Sequence, residues 1–165
     1  MSLMNGGSSN DVRLNDLYQE VILDHNKRPR NFGRLENATC SAHGKNPLCG
    51  DDYFLDLVLG PEGRINKVGF EGSGCAISKS SASIMTTLVE GKNIREAEEL
   101  KDRFIHLLTD KEISKENVEK MGRLKIFEGV RQFPVRVKCA TLIWRALEEA
   151  LKGGKSEITT EKESI

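Results

Sequence analysis

The sequence has few aromatic residues, no excess of either charge and no long apolar run. Aromatic residues make up 5% of the chain, too few for the stacking platforms that bind single-stranded nucleic acid. Lys plus Arg and Asp plus Glu each number 25, so no net field attracts nucleic acid or an acidic membrane surface. No apolar stretch approaches the roughly 18 residues that suggest a membrane span. We therefore expect neither nucleic acid nor a membrane among its partners.

The cysteines form no paired motif, and the opening residues are not typical of a signal peptide. The first ten residues have neither the basic start nor the apolar core of a signal peptide, which favours a cytoplasmic protein. The four cysteines lie far apart and form no CxxC pair: Cys40, Cys49, Cys75 and Cys139. In a cytosolic chain of this length, such cysteines are more often structural, metal-binding or catalytic than disulfide-bonded.

The 165 residues fit one domain with a substantial core. We predict a disordered N-terminus over 1–11 and a folded domain over 12–152. The sequence Gly153-Gly154 should end the last helix, and the Lys/Glu/Ser/Thr-rich segment 153–165 is predicted to be a disordered tail.

Apolar residues at helical spacing predict several helices. The clearest cover 12–26, 76–90 and about 94–109, and a last long helix follows the segment 134–139. The charged segment 110–122 is compatible with a short helix that begins at Ser114.

Two strands are predicted between the first and second helices. Residues 53–59 alternate between apolar and polar, and residues 65–70 follow a turn, which indicates an antiparallel hairpin. Residues 38–48 are predicted to contain a short edge strand. A hairpin returns the chain to its starting point, so Cys49 and Asp51 before it should lie near Cys75 after it.

Cys75 is placed where a strand ends and a helix of small residues begins. The positive end of the helix dipole favours the thiolate, which is the form that binds metal or accepts sulfur. Gly72 and Gly74 should let the backbone approach whatever Cys75 holds.

Three thiols and one carboxylate therefore form a candidate site: Cys49, Asp51, Cys75 and Cys139. Such a set can hold tetrahedral zinc or an iron–sulfur cluster, which usually takes four cysteines. A structural zinc site would more often use four cysteines, or three cysteines and a histidine. The carboxylate should be easier to displace, which suits a metal or cluster that must leave. Scattered cysteines can also be small buried apolar residues.

The remaining cysteine and the histidines are weaker candidates. Cys40 is interpreted as structural or incidental. His43 and His106 are expected to be surface or helix residues, whereas His25 lies in a basic segment at a helix end and is a better candidate for a role.

Three motifs resemble, in order, those of the U-type iron–sulfur assembly proteins, the IscU/SufU family, to which the N-terminal part of NifU is similar. They are the segments 46–51 (NPLCGD), 72–78 (GSGCAIS) and 136–142 (RVKCATL). The resemblance extends from about Leu14 to Leu151. It implies an α/β (α+β) fold in which a small antiparallel sheet packs against several helices, with the metal site at an exposed tip.

The resemblance also implies a function. In this family a pyridoxal-phosphate cysteine desulfurase supplies persulfide sulfur, and the Isc branch builds a [2Fe–2S] cluster that passes to recipient apo-proteins. Cys49, Asp51, Cys75 and Cys139 match the family's ligands. Replacement of Asp51 by Ala is expected to trap a cluster by removing the labile ligand.

Two departures favour the Suf branch of the family. The first is that Lys138 stands where the Isc branch has His, beside a segment that lacks the Leu-Pro-Pro-Val-Lys chaperone motif. The second is the segment 101–122, which resembles the Suf-branch insertion. Suf-branch proteins hold zinc and accept sulfur, so a zinc-dependent sulfurtransferase and a cluster scaffold both stay open. The sulfur acceptor is expected to be Cys49 by resemblance to the Suf branch or Cys139 by resemblance to the Isc branch, and Lys138 could stabilise the neighbouring thiolate or persulfide.

Overall fold

The structure, a computed structural model, describes the backbone of residues 6–161 and, except at 6–14 and 155, their side chains. Five α-helices and two 3-10 segments surround one four-stranded sheet. Within this part of the chain no helix is both long and apolar enough to cross a bilayer. The α-helices are α1 (Gly6–Lys27), α2 (Ala76–Val89), α3 (Ile94–Thr109), α4 (Lys115–Lys120) and α5 (Pro134–Leu151). The strands are β1 (Cys40–Asn46), β2 (Asp51–Leu59), β3 (Ile65–Ser73) and β4 (Gly154–Thr159), and the 3-10 segments are Pro61–Gly63 and Gly122–Gln132.

The sheet has the strand order β3-β2-β1-β4. β1, β2 and β3 are antiparallel neighbours, as the hairpin pattern predicts, and helices pack against the sheet. β4 lies parallel to β1, so the sheet is mixed rather than wholly antiparallel. The predicted fold class is confirmed, with one strand more than expected.

β4 corrects the prediction of a disordered tail over 153–165. Residues 154–159 pair with β1 from Cys40 opposite Gly154 to Lys45 opposite Thr159. Without them β1 would expose a row of unpaired backbone groups at the sheet edge. β1, predicted to be an edge strand, is therefore an inner strand, while residues 162–165 lie outside the described part.

The first helix also differs from its prediction. It was expected over 12–26 and occupies Gly6–Lys27, so it includes part of the segment 1–11 that was predicted to be disordered. No proline lies between Gly6 and Lys27, so none interrupts the helix on its N-terminal side. Residues 1–5 lie outside the described part.

Most other helix predictions are confirmed. Asn93 and Glu96 form a capping box at the start of α3, and Ser114 caps α4. The 3-10 segment Gly122–Gln132 was not predicted. Its buried side chains recur every third residue, which matches the three residues per turn of a 3-10 helix: Leu124, Phe127 and Val130.

Helices α2 and α5 pack against each other at the centre of the molecule. Ser81 on the buried face of α2 donates to the carbonyl of Ala140 at 2.6 Å and accepts from the indole nitrogen of Trp144 at 3.1 Å. Small side chains on α2 let the helices approach closely. The contact fixes Cys75, at the start of α2, relative to Cys139 in α5.

Candidate metal centre

The predicted thiols and carboxylate meet where the β1–β2 turn lies beside the N-terminal ends of α2 and α5. Ligand atoms of Cys49, Asp51 and Cys139 all lie within 4.8 Å of one another. The backbone nitrogen of Cys75 donates to Asp51 Oδ1 at 3.0 Å. The proximity inferred from the hairpin is confirmed.

The spacing of the three ligand atoms is close to that around a single ion. Ligands bound at about 2.0–2.3 Å from a tetrahedral zinc ion lie about 3.3–3.8 Å apart. Cys75 Sγ lies outside this close group, but its side chain lines the same groove as Cys49 and Cys139. The donor set therefore suits a soft divalent metal or an iron–sulfur unit. The side chain of Cys75 would have to move toward the other three ligands to join them.

Asp51 is buried, and both of its carboxylate oxygens are hydrogen-bonded. Oδ1 accepts from the Cys75 backbone and from the Ser78 hydroxyl at 2.9 Å. Oδ2 accepts from Asn46 Nδ2 at 3.0 Å. These donors replace the water that a buried carboxylate loses and fix its orientation.

Gly74 leaves space for the same network because it has no side chain. A Cβ at this position would lie 2.4 Å from Asp51 Oδ1, 2.6 Å from Ser78 Oγ and 2.8 Å from the Tyr53 hydroxyl. That hydroxyl is 3.0 Å from Ser78 Oγ, and burial raises the pKa of Tyr53, which keeps it protonated. The backbone at Gly74 therefore makes the predicted close approach, and the groups that it approaches are Asp51 and the side chains beside it.

Cys75 occupies the N-cap position of α2, as predicted. Its sulfur accepts from the backbone nitrogen of Ser78 at 3.4 Å. The side chain is half-buried. A thiolate here faces the positive end of a 14-residue helix.

Cys139 differs from its prediction. It lies in the second turn of α5 rather than before the helix, and it is 1% exposed. Burial, followed by the neighbouring Cys49 and Asp51, raises the pKa of Cys139, whereas Lys138 was expected to stabilise its thiolate. Its Sγ is 3.0 Å from Cys49 Sγ and 3.4 Å from Asn46 Nδ2.

The side chains of the two basic residues near Cys139 line two different grooves. Lys138 Nζ is 2.5 Å from Glu161, and its side chain lines a second groove beside Thr159 and Thr160. This placement does not support the predicted stabilisation of the thiolate by Lys138, because successive helix residues point in different directions. Arg136 instead lines the groove of the three thiols.

Apolar side chains form a rim around the thiol groove, which has a volume of about 550 Å³. Among the residues that line it, Phe133 is 55% exposed and Val135 48%. Cys49 and Cys75 are half-buried at the groove, which the more deeply buried Cys139 also lines, and Asp51 is buried next to Cys49 and Cys139. The site thus has an open side, bordered by apolar side chains.

Cys40 and the histidines lie away from this group. Cys40 is a buried core residue, and burial raises the pKa of its thiol. His106 is exposed beside Asp110. His43 is less exposed than predicted: it stacks on the ring of Phe54 with 4.1 Å between ring centroids.

His25 is 3% exposed and packs against α2. Its Nδ1 is 2.7 Å from the Ser83 hydroxyl, and burial lowers its pKa to about 4. This placement indicates a structural contact between α1 and α2 rather than the functional role for which His25 was a candidate.

Sequence reasoning did not assign a role to Asn46 or Ser78. Both lie inside the motifs, Asn46 before Pro47 and Ser78 three residues after Cys75. For Ser78 the sequence carried a signal that it lies close to Cys75, because the third residue after an N-cap directs its backbone N–H at the cap. Asn46 carried none, because its contacts depend on the pairing of strands.

The comparisons with known proteins agree with this arrangement. The family model described as NifU-like N terminal domain matches residues 17–153. The chain is 39% identical to an iron–sulfur cluster assembly scaffold protein IscU of Streptococcus pyogenes serotype M1, over 85% of this chain and 86% of the relative. It is also 39% identical to the zinc-dependent sulfurtransferase SufU of Bacillus subtilis, over 86% of this chain and 93% of that relative.

Solved structures show the same fold. The structure of FiSufU from Fervidobacterium islandicum AW-1 superimposes with a TM-score of 0.73 at 36% identity, and the match covers 80% of this chain and 94% of that one. The family match spans the thiol site, the three motifs and the helices that position them. The chain therefore belongs to the family of NifU-like N-terminal domains, which its motifs resemble.

Proposed function

We propose that this protein takes part in iron–sulfur cluster assembly, binds zinc or a transient [2Fe–2S] cluster, and accepts persulfide sulfur. The observation that carries the proposal is the convergence of Cys49, Asp51 and Cys139, with Cys75 on the same groove. Relatives named as cluster scaffolds and as a zinc-dependent sulfurtransferase support it.

The four candidate ligands would hold the metal or the cluster at the groove. Cys49, Cys75 and Cys139 line the groove, and the buried Asp51 lies next to Cys49 and Cys139. When bound, a zinc ion would supply charge that keeps the thiols deprotonated. Asn46 and Ser78 would hold Asp51 in its ligating orientation.

Sulfur acceptance is a thiol exchange at one of these cysteines. The acceptor thiolate attacks the outer sulfur of the donor persulfide, the donor's S–S bond breaks, and the donor cysteine leaves as a thiolate. The product is a persulfide on the acceptor, with no net oxidation or reduction. Cys49 is half-buried and lines the open groove, whereas Cys139 is 1% exposed, so Cys49 is the better-placed acceptor.

The sulfur donor is proposed to be a cysteine desulfurase, and the recipients are apo-iron–sulfur proteins. A donor must bring its persulfide to the groove, where Phe133 and Val135 offer an apolar rim. The basic segment 25–34, which includes the end of α1, is a weaker candidate for the docking surface. Arg28 and Arg30 both pair with Asp24 there, at 3.0 and 2.9 Å.

A zinc-dependent sulfurtransferase that builds no cluster is the second candidate function. Its support is the 39% identity to the Bacillus subtilis SufU, together with Lys138 in place of the Isc-branch His. Both candidates use the same four ligands. They differ in whether iron and sulfide accumulate on the chain.

Elemental analysis of purified protein, followed by reconstitution with ferrous iron and sulfide, tests both. Stoichiometric zinc that resists iron, with a stimulated desulfurase, is the result expected of a sulfurtransferase. A [2Fe–2S] absorption spectrum that strengthens in Asp51→Ala and passes to an apo-ferredoxin is the result expected of a scaffold.

Alanine variants of the cysteines provide the matched control. Cys49→Ala, Cys75→Ala and Cys139→Ala should each lose metal, while Cys40→Ala, which changes a core cysteine away from the site, should retain it. Absence of metal and cluster from the unaltered chain, with the three site variants equally stable, would contradict the proposal.

A further inference from the structure

The C-terminal strand reaches the thiol site through one side chain. Thr160 directly follows β4, and its backbone nitrogen donates to the carbonyl of Lys45 at 2.9 Å. Its hydroxyl donates to Asn46 Oδ1 at 2.9 Å. This contact joins residues 114 positions apart in the chain.

Asn46 is the link between this strand and the candidate ligands. Its side chain is fully buried, and its Nδ2 donates to Asp51 Oδ2 at 3.0 Å and to Cys139 Sγ at 3.4 Å. An amide whose oxygen is held by a hydroxyl donor must present its nitrogen on the opposite side. The hydroxyl of Thr160 therefore fixes which end of the amide faces Asp51 and Cys139.

We propose that Thr160 is a positioning residue of the metal centre, acting through the Asn46 amide on Asp51 and Cys139. The inference rests on the proposed function, because it assigns those two residues as ligands. It adds a contribution from the segment 154–161, which follows the last residue matched by the family model, 153.

The other contacts of this segment hold Thr160 in register. β4 pairs with β1 up to Lys45 opposite Thr159, and Glu161 pairs with Lys138 on α5. Thr160 is thus held between a strand and a helix that both carry site residues. Without its hydroxyl, Asn46 Oδ1 would be a buried acceptor with no donor among the described residues, and the amide would lose one of its anchors.

The test compares three full-length variants by two readouts. Thr160→Val keeps the side-chain shape and removes the hydroxyl, Thr160→Ser keeps the hydroxyl, and Thr159→Val makes the same change at the neighbouring exposed residue. The first readout is the pair of Asn46 side-chain amide signals in a proton–nitrogen spectrum of the metal-free protein, assigned by their loss in Asn46→Ala. The second is zinc affinity by competition with a chelator.

Thr160→Val should shift the Asn46 signals and lower zinc affinity about five-fold, which is the effect of one ordinary hydrogen bond. Thr160→Ser should restore both, and Thr159→Val should leave both unchanged. Unchanged affinity in Thr160→Val, whether or not the signals shift, would overturn the proposal, as would an equal loss in Thr159→Val.

Failure of the proposed function would be visible separately. If the unaltered chain took up no zinc and formed no cluster, the metal centre itself would be wrong. The Asn46 signals of the metal-free protein would still decide whether Thr160 orients the amide.

Discussion

Asp51 is supported from two regions of the molecule that are built in different ways. On one side, the first turn of α2 supplies a backbone N–H and the Ser78 hydroxyl to Oδ1. On the other side, β1 supplies the Asn46 amide to Oδ2, and that amide is held by Thr160.

The α2 support is local: its donors lie within one motif, and helix geometry places them. The β1 support is assembled from two distant segments, because Asn46 lies in the first motif and Thr160 lies 114 positions later. One carboxylate thus combines a support that helix geometry places with a support whose outer contact, from Thr160, only the sheet creates. Substitutions can weaken each support separately.

Gly74→Ala should have the largest effect. The new Cβ would lie 2.4 Å from Asp51 Oδ1, so the carboxylate, Ser78 and Tyr53 must shift. We expect a loss of about 3 kcal/mol in the free energy of unfolding together with loss of bound metal. Denaturant unfolding and elemental analysis measure these effects.

Gly129→Ala is the matched control for that substitution. A Cβ at Gly129 would meet no atom within 4 Å, so stability and metal content should stay close to those of the unaltered protein. Equal behaviour of the two variants would contradict the steric role of Gly74.

Asn46→Ala should have the next largest effect, because it removes the β1 support entirely. Asp51 Oδ2 would lose its amide donor, and a cavity would form at a fully buried position. We expect a loss of about 2 kcal/mol in the free energy of unfolding, measured by urea titration of the metal-free protein. A variant as stable as the parent would show that water replaces the amide at no cost.

Ser78→Ala should weaken the α2 support by less. Asp51 Oδ1 keeps the backbone N–H of Cys75, although the Tyr53 hydroxyl loses its partner. We expect a loss of about 1 kcal/mol.

The double variant Asn46→Ala/Ser78→Ala sharpens the comparison. Since both residues contact Asp51, their effects should not add. Strict additivity in a double-mutant cycle would mean that the two supports act independently.

Lys138→Met should have the smallest effect. It removes an ion pair with Glu161 in which both side chains are more than a third exposed, which is expected to cost no more than about 0.5 kcal/mol. Sulfur acceptance by the protein, followed by mass spectrometry of the persulfide, should be unchanged. A large loss of persulfide would restore the role that the sequence suggested for Lys138.

The sequence determined those features that depend on neighbouring residues. Apolar spacing identified α2 and α3, the alternation over 53–59 identified the hairpin, and the hairpin placed Cys75 beside Asp51. The three motifs identified the family. Each of these signals lies within a few residues, where the periods of helices and strands act directly on the pattern of side chains.

The tertiary structure decided what lies between distant segments. Residues 154–159 form β4 because β1 has a free edge with which they pair. The sequence of residues 154–159 does not by itself indicate this pairing. The burial of Cys139, the turn of Lys138 toward Glu161, and the contact from Thr160 to Asn46 follow from that packing. Contacts between segments far apart in the chain depend on strand order and helix rotation, which a single sequence leaves open.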